Sequence, residues 1–390
     1  MKNILIDCTL TGGRGPAKKA AEFIWECQRL NIPYKLVADE RLVGILSDFA
    51  IKPDYIIPIN FSSTNEEIYD LFDKQLRLIS YDVLVKFGAR TPGPYVARRM
   101  GKPYIIVDGG LPDKYEAYPS LYDKKTYQDA KVFILTSNFP WVPTPPLFLK
   151  NVYVAYFPLS QKTRGSIKEM KAKSRRNLID IYGGYFSAFS KKPEFIINLS
   201  MTGDYVDEKS RVTYGAWLKT KEYDQCVGFV RRLITDLGMT GKSIEIITDS
   251  KVSQVATDIL TRYKNISVVT WKEKWNYEAE IALERIADTT ISRAANYQPF
   301  GFAFGRGNSV TTVVPSDGYM NEDAAAIQAQ GLQLTENIPY DDEQYGERLL
   351  VFIKDKDKQK AISNNQIDNF KTFGRVNNSL TVLFNTINSL

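Results

Sequence analysis

Two carboxylates stand where a reaction can use them. Asp7 lies in the apolar run Asn3–Cys8 (NILIDC), and Asp108 follows Lys102–Val107 and precedes Gly109-Gly110 in IIVDGGLPD. A carboxylate at the end of a buried strand, beside glycines that let substrate approach, suits a general base. Asp113 in the same segment is a further candidate, and Asp108 is the better placed. The plainer reading is a turn-forming aspartate. A third feature is the loop Thr9-Leu10-Thr11-Gly12-Gly13-Arg14-Gly15-Pro16. Its glycines allow close backbone approach, and the helix start after it offers free N–H groups to an anion. It matches neither GxGxxG nor GxxxxGK[ST], which disfavours a dinucleotide site and a P-loop; a flexible strand-to-helix turn is the alternative.

The chain has 390 residues and no histidine. Ser-His-Asp and Cys-His catalysis, His-ligated metals and a histidine base are therefore excluded, and acid-base work falls to Asp, Glu, Lys, Tyr or Cys. Cys8, Cys27 and Cys226 form no CxxC and no disulfide framework. With no signal-like start and no apolar run long enough for a membrane span, the expected compartment is a reduced cytoplasm. The net charge of +6 is concentrated in Lys162–Arg176. A solvated helix face or linker is preferred there over peripheral contact with anionic lipid. Without aromatic-basic interleaving, nucleic acid is not an expected partner.

These residues need a frame. Strand-like runs at Asn3–Cys8, Tyr34–Ala38, Tyr55–Ile59, Val83–Phe87, Lys102–Val107, Val132–Thr136 and Val152–Phe157 fill the first half, with a helix predicted over Pro16–Leu30. The pattern restarts with Glu194–Leu199, Ser243–Thr248, Ile266–Thr270, Thr289–Ser292 and Val310–Val314. Helical periodicity covers Tyr214–Leu237, Val252–Tyr263, Tyr277–Ile286 and Glu322–Ala329 between them. Alternating strand and helix implies parallel sheets covered on both faces. The expected architecture is α/β, with two Rossmann-like doubly wound domains at 1–160 and 193–340, a basic linker at 161–192 and a helical tail at 341–390. A single TIM barrel is the competing arrangement; the polar break in mid-chain argues against it.

The most specific run is in the second half. A strand ends at Trp271, a short strand ends in Ser292-Arg293-Ala294-Ala295-Asn296-Tyr297-Gln298, and Val313-Val314-Pro315 leads to Asp317 and Asn321. This order, clearest over 265–335, resembles the donor half of GT-B-type glycosyltransferases, in particular UDP-glycosyltransferases and the N-acetylglucosaminyltransferase that makes lipid II. The resemblance implies two domains facing across a cleft, and a tail that crosses back to the first domain. It implies that Trp271 stacks on the nucleotide base. Ser292, Arg293, Ala294, Ala295, Asn296 and Gln298 would hold the diphosphate, and Asp317 and Asn321 would contact sugar and phosphate. Gly12, Gly13, Arg14 and Gly15 match the family's first glycine-rich turn. Ser200, Thr202 and Gly203 match its polar turn, and Asp249, after Ser243–Thr248, is counted with them. Where the family reads HGG this chain reads Ser292-Arg293-Ala294, and Phe300 stands near the usual ribose-binding acid.

The resulting expectation is a glycosyltransferase that moves a sugar from a nucleotide-diphosphate donor, UDP type, to an unknown small-molecule, lipid or peptide acceptor. The resemblance implies inversion and no obligatory metal, and no separate cofactor is expected. Backbone N–H groups, hydroxyls and the cations Arg14 and Arg293 can neutralise a departing diphosphate without histidine. Asp108 or Asp7 would serve as base. Two alternatives stand beside this: a catalytically inactive GT-B-like partner, and a UDP-N-acetylglucosamine 2-epimerase-like enzyme.

Overall fold

The structure, a computed structural model, describes every residue except 1, 11–13, 61–62, 89, 110–120, 122, 141–148, 187–192, 201–219, 249–255, 271–275, 293–298 and 314–321. The chain divides into two compact units: residues up to Arg164 with Phe373–Leu390, and most of Gly165–Thr372.

The first unit is a parallel sheet of seven strands in the order β3-β2-β1-β4-β5-β6-β7. These are β1 (Ile4–Cys8), β2 (Tyr34–Asp39), β3 (Tyr55–Ile57), β4 (Val83–Phe87), β5 (Tyr104–Asp108), β6 (Val132–Ser137) and β7 (Val152–Tyr156). Every residue of β1, β4 and β5 is buried. That is why these strands read as apolar runs, broken only by Asp7, Lys86 and Asp108, rather than as alternation. Helix α1 (Arg14–Arg29) follows β1 and begins before the predicted Pro16, so Pro16 occupies its first turn. Helices at Glu40–Ser47 (α2), Asn65–Leu76 (α3) and Pro92–Arg99 (α4) are not evident from periodicity. The first and last are short. Only the second has a strong local signal, a capping box between Thr64 and Glu67.

Carboxylates on α1 organise the basic stretch. Glu22, fully buried, accepts from the Ser160 N–H (2.6 Å) and from the Thr163 hydroxyl, while Glu26 accepts from Gln161 N–H. Both sit at the N-terminus of the helix Gln161–Ala172, where negative charge is favoured by the helix dipole. The predicted linker thus holds ordered helices, the second being Arg175–Tyr182 with Ser174 as its N-cap. The last helix, Ser379–Ser389, belongs to the first unit. Tyr156 N–H donates to Asn377 O (2.7 Å), and the Phe384 ring lies 5.2 Å from that of Phe23.

The second unit is a six-stranded parallel sheet in the order β10-β9-β8-β11-β12-β13. Its strands are β8 (Phe195–Leu199), β9 (Ile244–Thr248), β10 (Ile266–Thr270), β11 (Thr289–Ser292), β12 (Ser309–Thr311) and β13 (Glu336–Asn337). Two open sheets exclude the TIM barrel. The core joins Ile197, Ile246 and Ile291 from the strands to Phe229, Leu233 and Leu349 from helices. The expected helical tail forms helices at Tyr345–Lys354, Lys356–Asn369 and Ser379–Ser389.

One buried group in this sheet has no counter-charge among the described residues. Glu245 on β9 is 2% exposed, its Oε1 has no hydrogen-bond partner among the described residues, and desolvation pushes its carboxyl up to about 7. The folded chain then holds a proton that the unfolded chain has lost between pH 4.5 and 7. The corresponding stability is present below pH 4.5 and disappears as pH rises through 7. Glu245→Met is expected to stabilise the second unit more at pH 8 than at pH 4, by about 1–3 kcal/mol. Urea unfolding at the two pH values reads the difference; an equal effect at both contradicts it.

Candidate functional site

Ligands of open α/β sheets bind beyond the carboxyl ends of the strands, where the strand order reverses. In the first unit that point lies between β1 and β4, which pair in register with Asp7 opposite Lys86. Both are buried, and Lys86 Nζ is 3.2 Å from Asp7 Oδ1 while also donating to Thr9 O. The same Asp7 oxygen accepts from Thr9 N–H (2.9 Å) and the Thr9 hydroxyl (2.6 Å). Asp7 Oδ2 has no hydrogen-bond partner among the described residues, and a Cβ on Gly93 of α4 would overlap it. A glycine is therefore required where α4 closes over the carboxylate.

The loop after β1 is anchored from the next strand. Leu10 takes the left-handed conformation (φ 52°), and its N–H donates to Asp39 Oδ2 at 2.7 Å. Asp39 also caps α2 through Arg41 N–H (3.1 Å). One carboxylate at the end of β2 thereby fixes the entrance to the glycine-rich turn.

Asp108 closes β5, two strands from β1 and so roughly 10 Å from Asp7. It is 5% exposed; its Oδ1 accepts from Gly109 N–H (2.7 Å), and its backbone oxygen from the Thr136 hydroxyl (2.9 Å). Burial raises its pKa against the opposing pull of Lys19, the Gly109 N–H and Lys86. Lys19, from the second turn of α1, is 6% exposed, and its ammonium rests against Gly109, where an added Cβ would stand 2.8 Å from Nζ. Desolvation lowers its pKa to about 8, with Asp108 pulling it back up. The neighbouring thiols of Cys8 and Cys27 are free but buried and pushed up to about 12, so neither is a nucleophile at neutral pH.

In the second unit the strand order reverses between β8 and β11. Ser200 N–H donates to Ile291 O (3.0 Å) and Thr312 N–H to Ser292 O (2.8 Å), so the ladder continues to the last residue of each strand. Ser200 is exposed and Ser292 fully buried. Below them Glu284, from the helix Tyr277–Ile286, accepts from Asn198 Nδ2 (3.3 Å) and the Thr290 hydroxyl (3.0 Å). This buried triad locks the two strand ends together. Arg306 donates to the carbonyls of Glu284, Arg285 and Ala287 at 2.7–2.8 Å and closes the C-terminus of that helix.

No protein-family model matches the sequence, and no curated protein matches it significantly. Solved structures do match along its whole length. The UDP-GlcNAc 2-epimerase of Neisseria meningitidis, bound to UDP-GlcNAc, aligns at a TM-score of 0.64 and 15% identity, covering 100% of both chains. Anabaena HepE in complex with UDP and glucose aligns at 0.63 and 11%, again over 100% of both. Acinetobacter baumannii MurG aligns at 0.58 and 14% with the same coverage. The chain has the GT-B fold.

Within this GT-B chain the structure places some predicted site residues and not others. Asp7, Asp108, Gly15, Ser200 and Ser292 are described, and all five lie at or just beyond the carboxyl ends of strands in their own unit. Gly15 sits in the first turn of α1, and an added Cβ there meets nothing within 4 Å. Arg14 is the first residue of that helix. Gly12, Gly13, Thr202, Gly203, Asp249, Trp271, Arg293, Ala294, Ala295, Asn296, Gln298, Asp317 and Asn321 lie outside the described residues, as does Asp113. Sequence reading missed Lys19, Asp39, Lys86 and Gly93. A lysine inside the apolar run VLVKF was a signal for Lys86. Lys19 shares a helical face with buried Phe23, which marks an inward-pointing charge.

Proposed function

We propose that this protein acts on a nucleotide-diphosphate sugar of UDP type and that its reaction is glycosyl transfer to an acceptor. The observation that carries the reading is the end-to-end likeness to GT-B proteins whose structures hold UDP, UDP with glucose, or UDP-GlcNAc. In this reading the second unit supplies the donor loops from Ser200, Ser292–Gln298, Asp317 and Asn321, with Trp271 against the base. The first unit supplies acid-base chemistry from the Asp108 corner, where a buried carboxylate and the lysine Lys19 act on each other electrostatically without histidine. A charged pair in a dry corner is where proton affinities depart most from their solution values.

A second reading has its own support. The Neisseria epimerase and a second UDP-N-acetylglucosamine 2-epimerase align over 93–100% of this chain. Epimerisation at C2 must break the C2–H bond, which transfer leaves intact. The test is incubation with UDP-N-acetylglucosamine and UDP-glucose in D₂O, followed by NMR of the sugar products. Release of UDP and free or transferred sugar without deuterium at C2 supports transfer. Deuterium at C2 with a changed configuration replaces it with the epimerase reading. An unchanged donor that nonetheless binds identifies an inactive partner.

A further inference from the structure

We infer that Lys19 is the group that takes the acceptor's proton, with Asp108 as the counter-ion that holds it in place. The inference rests on the glycosyl-transfer reading and deepens it. Three observations carry it. Lys19 is 6% exposed, and its ammonium makes no hydrogen bond among the described residues. It is seated against Gly109, where an added Cβ would stand 2.8 Å from Nζ. An ammonium on a buried stem with no acceptor among the described residues is available to a ligand oxygen.

Among the described residues the charged groups around it are these. Asp108 attracts it from β5, and Lys86 on β4 acts on Asp108 rather than on Lys19 directly. Glu22, one turn further along α1, is committed to Ser160 and Thr163. Asp108 gives one oxygen to Gly109 N–H. Asp7, the other carboxylate candidate, is sealed beneath Gly93 and paired with Lys86.

The step balances without a further reactant. The acceptor oxygen forms a bond to the anomeric carbon, and the bond from that carbon to the diphosphate oxygen breaks. Its electron pair leaves with the nucleoside diphosphate. The acceptor's proton passes to the unprotonated Lys19 Nζ, and the resulting ammonium stands beside the Asp108 carboxylate. Desolvation makes the neutral amine available near physiological pH, where an exposed lysine is fully charged.

The test is the pH profile of kcat/KM for cleavage of whichever of UDP-N-acetylglucosamine and UDP-glucose the protein turns over faster, with water as acceptor. The unaltered protein is expected to rise to a plateau with a midpoint near pH 8. Lys19→Met loses about 10²–10⁴-fold and the rise with it. Lys19→Arg keeps the positive charge facing Asp108 but cannot release its proton; it shows the same loss and carries the test if the methionine variant does not fold. Asp108→Asn keeps the rise but moves its midpoint to lower pH, because the amine loses the charge that retains its proton. Turnover within tenfold of the parent in either Lys19 variant overturns the assignment and leaves glycosyl transfer standing. So does a midpoint in the carboxylate range that survives in Lys19→Arg. Absence of cleavage or transfer by the unaltered protein overturns the reading, and the assignment falls with it.

Discussion

Lys86→Met is expected to destabilise the first unit by about 3–5 kcal/mol, because it leaves the Asp7 charge buried without its partner. The cost follows from position. Asp7 and Lys86 face each other across β1 and β4 at the centre of a seven-stranded sheet, and neither reaches water. Asp7 retains Thr9 as a donor, yet a hydrogen bond from a hydroxyl does not replace a buried ammonium. The double variant Asp7→Asn/Lys86→Met removes both charges and should recover much of the loss, since a neutral pair in the same space has little to desolvate. Urea unfolding, followed by hydrogen exchange at the β1 and β4 amides, measures the effect in the unit concerned. Equal stability of parent and Lys86→Met would show that the pair is not buried as described.

Gly307→Ala is expected to cost at least about 3 kcal/mol in the second unit, through backbone strain and overlap together. Gly307 has φ +68°, a conformation that penalises any Cβ. The added carbon would also overlap the Gln359 carbonyl and stand 2.7 Å from Ser363 N, and both belong to the helix Lys356–Asn369. Those are backbone atoms, so no rotamer change relieves them. The turn cannot shift freely either: Gly307 N–H donates to Gln366 Oε1 (3.1 Å), and Arg306 beside it holds three carbonyls. Gly331→Ala, where a Cβ meets nothing within 4 Å, serves as the control and should be near neutral. A fall in melting temperature confined to Gly307→Ala supports this packing; similar melting of the two variants contradicts it.

The fold was largely legible in the sequence because parallel strands buried on both faces leave runs that need no alternation to be seen. Ile266–Thr270, Thr289–Ser292 and Val83–Phe87 end where the apolar pattern says they end. Short helices were not legible. Pro92-Gly93-Pro94 reads as a turn, but its prolines lie in the first turn of α4, where a missing N–H costs nothing. The site was legible by position and less so by partner. Asp108 beside Gly109 could be picked out as the carboxylate at a strand end, since local sequence encodes it. That Lys19, 89 positions earlier, acts on it as a counter-charge follows only from how α1 packs on β1 and β4. The missing histidine thus takes on physical content: the corner pairs a depressed amine with a raised carboxyl, each shifted first by burial.

Calorimetric titration of the unaltered protein with UDP decides whether the proposed UDP-sugar donor is bound. Saturable binding, weakened in Trp271→Ala and in Ser292→Trp, is expected. No heat and no thermal shift with UDP, UDP-N-acetylglucosamine or UDP-glucose would contradict it.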